Sequence, residues 1–109
     1  MSAEGIILFD EVQEKTLFAE VPPEFSSTRQ IALGGMFVNM AKRLSNEFKA
    51  GSINSIVISC EEKVVCISKR EHQFIIVLYP KTDIIEDSII IQKTSEIFDK
   101  ILKNNKIKN

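Results

Sequence analysis

Hydrophobic residues along the chain follow two different periodicities, and the switches between them outline the secondary structure. Two short apolar runs, at residues 5–9 and 16–21, flank a polar stretch and predict a β-hairpin. The two prolines that follow cannot continue a paired strand, and Ser27 and Gln30 have the spacing of a helix capping box. Apolar residues then recur at helical spacing, so we predict a first helix that begins near Ser27 and ends near Lys49, before a glycine.

The next part of the chain contains three strand-like runs, at residues 53–60, 63–68 and 73–79. Short charged links join them, which is typical of an antiparallel meander. Within the first and the last of the five runs, residues 6–9 and 74–78 are apolar at every position, whereas the other strands mix in polar residues. A strand that is apolar on both faces is buried on both faces, so these two strands are predicted to be neighbours at the centre of the sheet.

A final helix is predicted from apolar residues that recur at helical spacing between Ile90 and Leu102. Its N-cap is either Asp83 or the pair Asp87 and Ser88, and residues 104–109 lack a core pattern and are predicted to fray. The element order is therefore β-β-α-β-β-β-α. It predicts an α/β fold of the α+β type, in which a five-stranded antiparallel sheet lies between two helices and residues 1–109 form one domain.

The first helix carries more apolar surface than a helix on its own sheet requires. One stripe consists of large residues and is predicted to face the sheet: Leu33, Phe37, Met40, Leu44 and Phe48. A second stripe consists of small and β-branched residues that permit close backbone approach, and it predicts a dimer contact that the strand at residues 53–60 extends. The predicted contact residues are Ile31, Gly34, Gly35, Val38, Ala41, Ser45, Ile56 and Ile58. The alternatives are that a loop or a chain end covers this stripe, or that the glycines kink the helix.

Charge and cysteine usage narrow the class of protein. The formal net charge is −1 at neutral pH, which gives no broad attraction to phosphate groups and argues against nucleic acid as a partner. No apolar run is long enough to span a bilayer, and the acidic start of the chain is unlike a signal peptide. We therefore expect a cytoplasmic protein in which Cys60 and Cys66 are reduced and unligated.

The chain has no sequence motif for a catalytic, nucleotide-binding or zinc site, so we expect no enzyme activity, no cofactor and no metal. His72 is the only histidine and lies in a charged link, where a solvated surface residue is a better interpretation than a general base. Arg29, Arg43 and Arg70 are expected to be plain surface charges, as exposed arginines more often are.

One known family has a similar order of features. Residues 32–83, ALGGMFVNMAKRLSNEFKAGSINSIVISCEEKVVCISKREHQFIIVLYPKTD, resemble the Roadblock, or dynein light chain Roadblock, family. The similar features are a helix of small and apolar residues, a glycine turn, three strands and an aspartate just after the last strand. The opening GIILFD resembles the first strand of that family. The order of elements is also similar to that of the related longin domain.

The resemblance implies a function as well as a fold. It implies that two subunits pair through the middle helix and the neighbouring strand, and that the dimer is a platform or activator for Ras-like small GTPases. We therefore expect a non-catalytic interaction module whose partners are a second copy or a paralogous Roadblock or longin subunit, together with a Ras-like GTPase. An activator of such a GTPase can supply an arginine in trans, and Arg29, Arg43 and Arg70 are then the candidates. The alternatives are a longin-like structural adaptor of a trafficking complex and a profilin-like actin binder.

Overall fold

The protein folds as one sheet with two helices, in a computed structural model that describes residues 3–81 and 86–108. The strands are β1 (Gly5–Asp10), β2 (Lys15–Glu20), β3 (Ser55–Ser59), β4 (Lys63–Arg70) and β5 (Gln73–Pro80). The helices are α1 (Ser27–Glu47) and α2 (Asp87–Lys108). This is the predicted order β-β-α-β-β-β-α, and the predicted fold class is confirmed.

The sheet is antiparallel, with the strand order β2-β1-β5-β4-β3. Strand β5 lies in the middle and pairs with β1 on one side, where Leu8 is opposite Ile75. Both side chains are fully buried. The prediction that these two strands are central neighbours is confirmed, because each of them has a strand on both sides and a helix layer over its apolar faces.

Alternate residues of the strands feed two separate cores. On one face, Ile75 and Val77 of β5 pack with Phe98 and Ile90 of α2. On the other face, Phe74 and Ile76 of β5 pack with residues of α1. Successive side chains of a strand point to opposite faces, so the two helices lie on opposite sides of the sheet, as predicted.

The start and the end of α1 differ slightly from the prediction. The N-cap is Ser26, whose hydroxyl accepts a hydrogen bond from the backbone N–H of Arg29 at 3.2 Å. The predicted capping box of Ser27 and Gln30 therefore does not form, because the N-cap lies one residue earlier and Arg29 occupies the third helical position. At the other end the chain leaves the helix through two left-handed residues, Lys49 with φ of 53° and Gly51 with φ of 92°. The glycine supplies the turn because it adopts positive φ without a steric penalty.

Helix α2 begins at Asp87, so Asp87 and Ser88 lie in its first turn and the prediction that they form its N-cap is wrong; the backbone N–H of Ile90 donates to the carbonyl of Glu86. The other predicted N-cap, Asp83, lies outside the described residues, and the helix continues to Lys108. A hydrogen bond within the core fixes its position over the sheet. Thr94 Oγ1 donates to the carbonyl of Ile90 at 2.8 Å and lies 2.8 Å from the buried hydroxyl of Tyr79, which donates to it.

The turn between β1 and β2 is held by Asp10, whose side chain is 3% exposed. Its carboxylate accepts backbone hydrogen bonds from Val12 at 3.0 Å and Gln13 at 2.9 Å, and a side-chain hydrogen bond from Gln73 at 3.3 Å. Donors of this kind bind the charged carboxylate more strongly than the neutral carboxyl group, so the pKa of Asp10 lies below its usual value, chiefly through the Gln13 N–H. His72 Nε2 lies 3.5 Å from the same carboxylate and acts in the same direction.

Candidate functional site

The small residues of α1 face the protein's own sheet. Gly34 and Val38 are buried there, and Val38 packs with Ile67 and Phe74. A Cβ atom added at Gly34 would lie 2.6 Å from Cδ1 of Ile76 and 3.4 Å from Cε1 of Phe74. Gly34 therefore lets the helix backbone approach β5 more closely than any other residue would permit.

The large apolar residues of α1 lie on its exposed side, so their predicted position over the sheet is wrong. They form one continuous stripe at helical spacing: Leu33, Met36, Phe37, Met40, Leu44 and, just after the helix, Phe48. Their exposed fractions range from 49% at Phe37 to 75% at Phe48. A contiguous exposed apolar surface of this kind marks an interaction site.

The structure places the predicted contact residues of α1 in two different environments, some buried against the sheet and some partly exposed. Ile31, Gly34 and Val38 pack against the sheet of their own subunit, and their assignment to a dimer contact is corrected for that reason. Gly35 has nothing within 4 Å of an added Cβ. Ala41 and Ser45 are partly exposed beside the apolar stripe.

The contact residues predicted on the sheet lie at its β3 edge. Ile56 and Ile58 are half-buried on the face that α1 covers. Strand β3 pairs with β4 through one edge, and its other edge has no strand neighbour among the described residues. Its sequence, SIVIS, contains no charge, whereas the opposite edge strand, β2, begins with Lys15 and ends with Glu20. Charged side chains at an edge oppose strand addition, so β3 is the edge that suits it.

An apolar cavity of about 220 Å³ lies under the first half of α1. Its wall includes Ile58 of β3 and Leu78 of β5, and Gln30 and Phe37 border it from the helix. Phe25, which is 38% exposed, borders it from the segment before the helix. The sequence pattern gave no sign of this cavity, because its wall combines residues from most of the length of the chain. The cavity adjoins the exposed stripe, since Phe37 belongs to both.

The residues considered for chemistry are not brought together. Arg70 lies on the α2 side, with its guanidinium 4.4 Å from the ring centroid of Phe98 and paired with Asp99. Its Nη2 also donates to Ser95 Oγ at 2.8 Å, so this arginine of β4 holds α2 against the sheet through side-chain contacts. Among the described residues, no three side chains of the metal-binding types converge on one point.

The remaining candidates also lie apart from one another. His72 is 45% exposed beside the turn carboxylate. Arg29 and Arg43 are exposed on α1. Cys66 is buried opposite Val57, and burial raises the pKa of its thiol, whereas Cys60 is exposed and its N–H donates to the carbonyl of Lys63. The cysteines are therefore not paired with each other.

Comparison with known proteins gives a likeness in structure and none in sequence. No family model and no curated protein matches the sequence. The crystal structure of a Roadblock/LC7 domain from Streptomyces avermitilis does match the fold, with a TM-score of 0.69 and 8% sequence identity over 95% of this chain and 86% of that one. The chain has the Roadblock/LC7 fold. The resemblance found in residues 32–83 is thereby confirmed for the fold.

No helix in the part of the chain that the structure describes is long and apolar enough to cross a membrane. Within the described residues, the exposed stripe of α1 and the open edge of β3 are the surfaces best suited to contact a partner.

Proposed function

We propose that the protein is a non-catalytic interaction module that works as a dimer, formed through the exposed stripe of α1 and the open edge of β3. The observation that carries the proposal is the exposure of six large apolar side chains on a single helix side. Complete burial of a fully exposed side chain of this size contributes about 1.5–3 kcal/mol. Because these six side chains are between 49% and 75% exposed, a partner that covers the stripe gains about half or more of that contribution from each. Gly35, Ala41, Ser45, Ile56 and Ile58 would lie within or beside this contact.

The edge of β3 extends the same contact. Pairing of β3 with β3 of a second copy would continue the sheet across the two subunits and satisfy backbone groups that otherwise face water. The strand is uncharged, as such pairing requires. The partner is a second copy or a paralogous subunit with the same two features.

A substitution on the exposed stripe tests the dimer. Met40→Glu places a charge in the proposed contact, where an unpaired buried charge costs several kcal/mol, so the dimer should dissociate. Asn39→Glu is the matched control, because Asn39 is exposed on the polar side of the same helix. Light scattering at several concentrations gives the mass of each variant. A wild type that remains monomeric at high concentration, or a Met40→Glu variant that remains dimeric, contradicts the proposal.

We further propose that the dimer acts in the cytoplasm as a platform or regulator of a Ras-like small GTPase, as a GTPase-activating complex or a part of one. The support is the Roadblock/LC7 fold together with the family resemblance of residues 32–83, and it is analogy at the level of fold. The exposed, unpaired thiol of Cys60 agrees with a reducing compartment. If an arginine acts in trans, Arg29 and Arg43 are the candidates, because Arg70 is engaged by α2.

The proposed GTPase partner is tested by measuring binding to a panel of purified Ras-like GTPases, each loaded with GDP or with a non-hydrolysable GTP analogue. We expect binding that depends on the nucleotide, and release of phosphate measured in the same samples distinguishes a platform from an activator. Binding to no member of the panel, together with recovery in an assembly that lacks a GTPase, would favour the structural adaptor instead.

A further inference from the structure

The apolar cavity under α1 has a floor that one helix does not cover completely. Gly5 lies opposite Leu78, and Leu78 lies opposite Val65. Val65 in turn lies opposite Ile58, and all four residues border the cavity. Residues directly opposite each other in an antiparallel pair share a face of the sheet, so the floor crosses β1, β5, β4 and β3. Strands about 4.8 Å apart make this floor about 14 Å wide, whereas a helix is about 10–12 Å across.

A glycine at the start of β1 leaves space at one side of this floor. A Cβ atom added at Gly5 would lie 3.4 Å from Cγ1 of Val21 and 3.6 Å from Cβ of Leu78, which are ordinary contacts. The φ angle of Gly5 is not positive. Neither the backbone nor the neighbouring side chains therefore require a glycine at this position. A glycine in a strand often marks a place where a ligand approaches the backbone closely, and Gly5 lies in the cavity wall.

The residues of the wall specify the chemistry of an occupant. Among the described residues that border the cavity, none is charged, and Gln30 alone has a polar side chain. Gln30 is exposed, so its amide can meet the polar end of a ligand at the mouth of the cavity, as a donor or as an acceptor. Ligand sites typically combine an apolar wall with a few polar groups that fix orientation. The matching ligand is neutral, with a hydrocarbon body and one group that forms hydrogen bonds.

The volume of the cavity limits the size of the ligand. Voids in protein interiors are rarely larger than a water molecule, whereas this cavity has a volume of about 220 Å³. An apolar cavity of about 150 Å³ binds benzene, so about six to nine carbon atoms fit here. Phe25 and Phe37 border the cavity and are 38% and 49% exposed. Their rings offer apolar surface to the part of the ligand that lies near the mouth.

We propose that this cavity binds a small neutral molecule, which has a hydrocarbon body of about six to nine carbon atoms and one hydroxyl or carbonyl group. The hydrocarbon body lies on the floor formed by the sheet, and the polar group bonds to the amide of Gln30. The inference goes beyond the proposed dimer and does not rest on it, because all the residues that border the cavity belong to one subunit.

Titration with three small molecules tests the site. The probes are 1-octanol, which has the proposed chemistry, toluene, which lacks the polar group, and octanoate, which carries a charge. Binding is followed by NMR of the labelled methyl groups of isoleucine, leucine and valine. We expect saturable shifts at Ile58, Val65 and Leu78 with 1-octanol and with toluene. Octanoate should bind at least about tenfold more weakly than 1-octanol, because no charged side chain among the described residues of the wall compensates its loss of hydration.

Three variants assign the binding to the cavity. Val65→Phe places a phenyl ring in the space of the ligand and should weaken 1-octanol binding at least about tenfold. Val12→Phe is the matched control, since Val12 is 73% exposed in a turn outside the cavity. Ile58→Ala enlarges the cavity and should shift the preferred alcohol from 1-octanol towards 1-decanol. Gln30→Leu should weaken 1-octanol binding by about threefold to tenfold and leave toluene binding unchanged, because only the alcohol loses a hydrogen bond.

Several results would overturn the proposal. No saturable binding of 1-octanol or toluene removes the site, and shifts confined to Leu33 and Leu44 place the probes on the exposed stripe instead. A folded Val65→Phe variant with the affinity of the wild type has the same meaning. If Val65→Phe does not fold, the alcohol series on Ile58→Ala decides, and an unchanged preference for chain length refutes the site. Met40→Glu should bind 1-octanol as the wild type does, whereas loss of binding would move the ligand to the proposed dimer contact.

Discussion

The position of α1 on the sheet leads to different expectations for two adjacent glycines. A glycine in a helix interior costs about 1 kcal/mol relative to alanine. Nothing lies within 4 Å of a Cβ added at Gly35, so Gly35→Ala should raise the free energy of unfolding by up to about 1 kcal/mol. At Gly34 the same atom would lie 2.6 Å from Cδ1 and 3.3 Å from Cγ1 of Ile76. Carbon atoms in contact prefer a separation of about 3.5–4.0 Å.

The loss of stability in Gly34→Ala depends on how far the side chains next to Gly34 can move. The δ-methyl group of Ile76 borders the cavity and can rotate partly out of the way, but its Cγ1 and the ring of Phe74, at 3.4 Å, have less freedom. Overpacking of this kind costs about 1–3 kcal/mol. The gain in helix propensity is nearly the same at both glycines. Gly34→Ala should therefore unfold with a free energy about 1–3 kcal/mol lower than that of Gly35→Ala.

Urea denaturation followed by far-ultraviolet circular dichroism measures this difference. The two variants and the wild type are compared at one protein concentration, because dimerisation stabilises the folded state in a concentration-dependent way. Light scattering on the same samples checks that the oligomeric state is unchanged. If Gly34→Ala is as stable as Gly35→Ala, or more stable, the small residues of α1 do not lie against the sheet. The large apolar residues of α1 would then not be the exposed side of the helix, and the proposed contact would lose its support.

Three further expectations concern buried polar groups and thiols. Thr94→Val should lower the free energy of unfolding by about 1–3 kcal/mol in a denaturation experiment, because the buried hydroxyl of Tyr79 loses its acceptor. Tyr79→Phe should lower it by about 1 kcal/mol or less, since Thr94 keeps its hydrogen bond to the helix carbonyl. Because the pKa of Asp10 is lowered in the folded state, its contribution to stability is present above its unfolded pKa and disappears as the pH falls through the folded value. The wild type should therefore lose more stability below about pH 4 than Asp10→Asn does, and parallel pH profiles would contradict this. In the native protein, Cys60 should react with a thiol reagent and Cys66 should react only after unfolding, as mass spectrometry of the labelled peptides can show.

The sequence by itself determined the elements and their arrangement in the sheet. Strands, turns and helices follow from local patterns: apolar runs, the proline pair after β2 and the glycine after α1. The central position of β1 and β5 follows from consecutive apolar residues, since a strand with two apolar faces must be covered on both. These properties depend on neighbours in the chain, and a single sequence contains them.

Only the tertiary structure decided which side of α1 faces the sheet. The apolar arc of the helix is about 220° wide, and a helix can bury either part of such an arc. Large residues suggested the core, but the close approach of Gly34 to Ile76 seats the small stripe there and leaves Met40 and its neighbours exposed. That approach joins residues on different elements, as does the cavity between α1 and strands β3 and β5. Hydrophobic periodicity measures how much of a helix is apolar, whereas the fit of two surfaces in space selects the side that is buried.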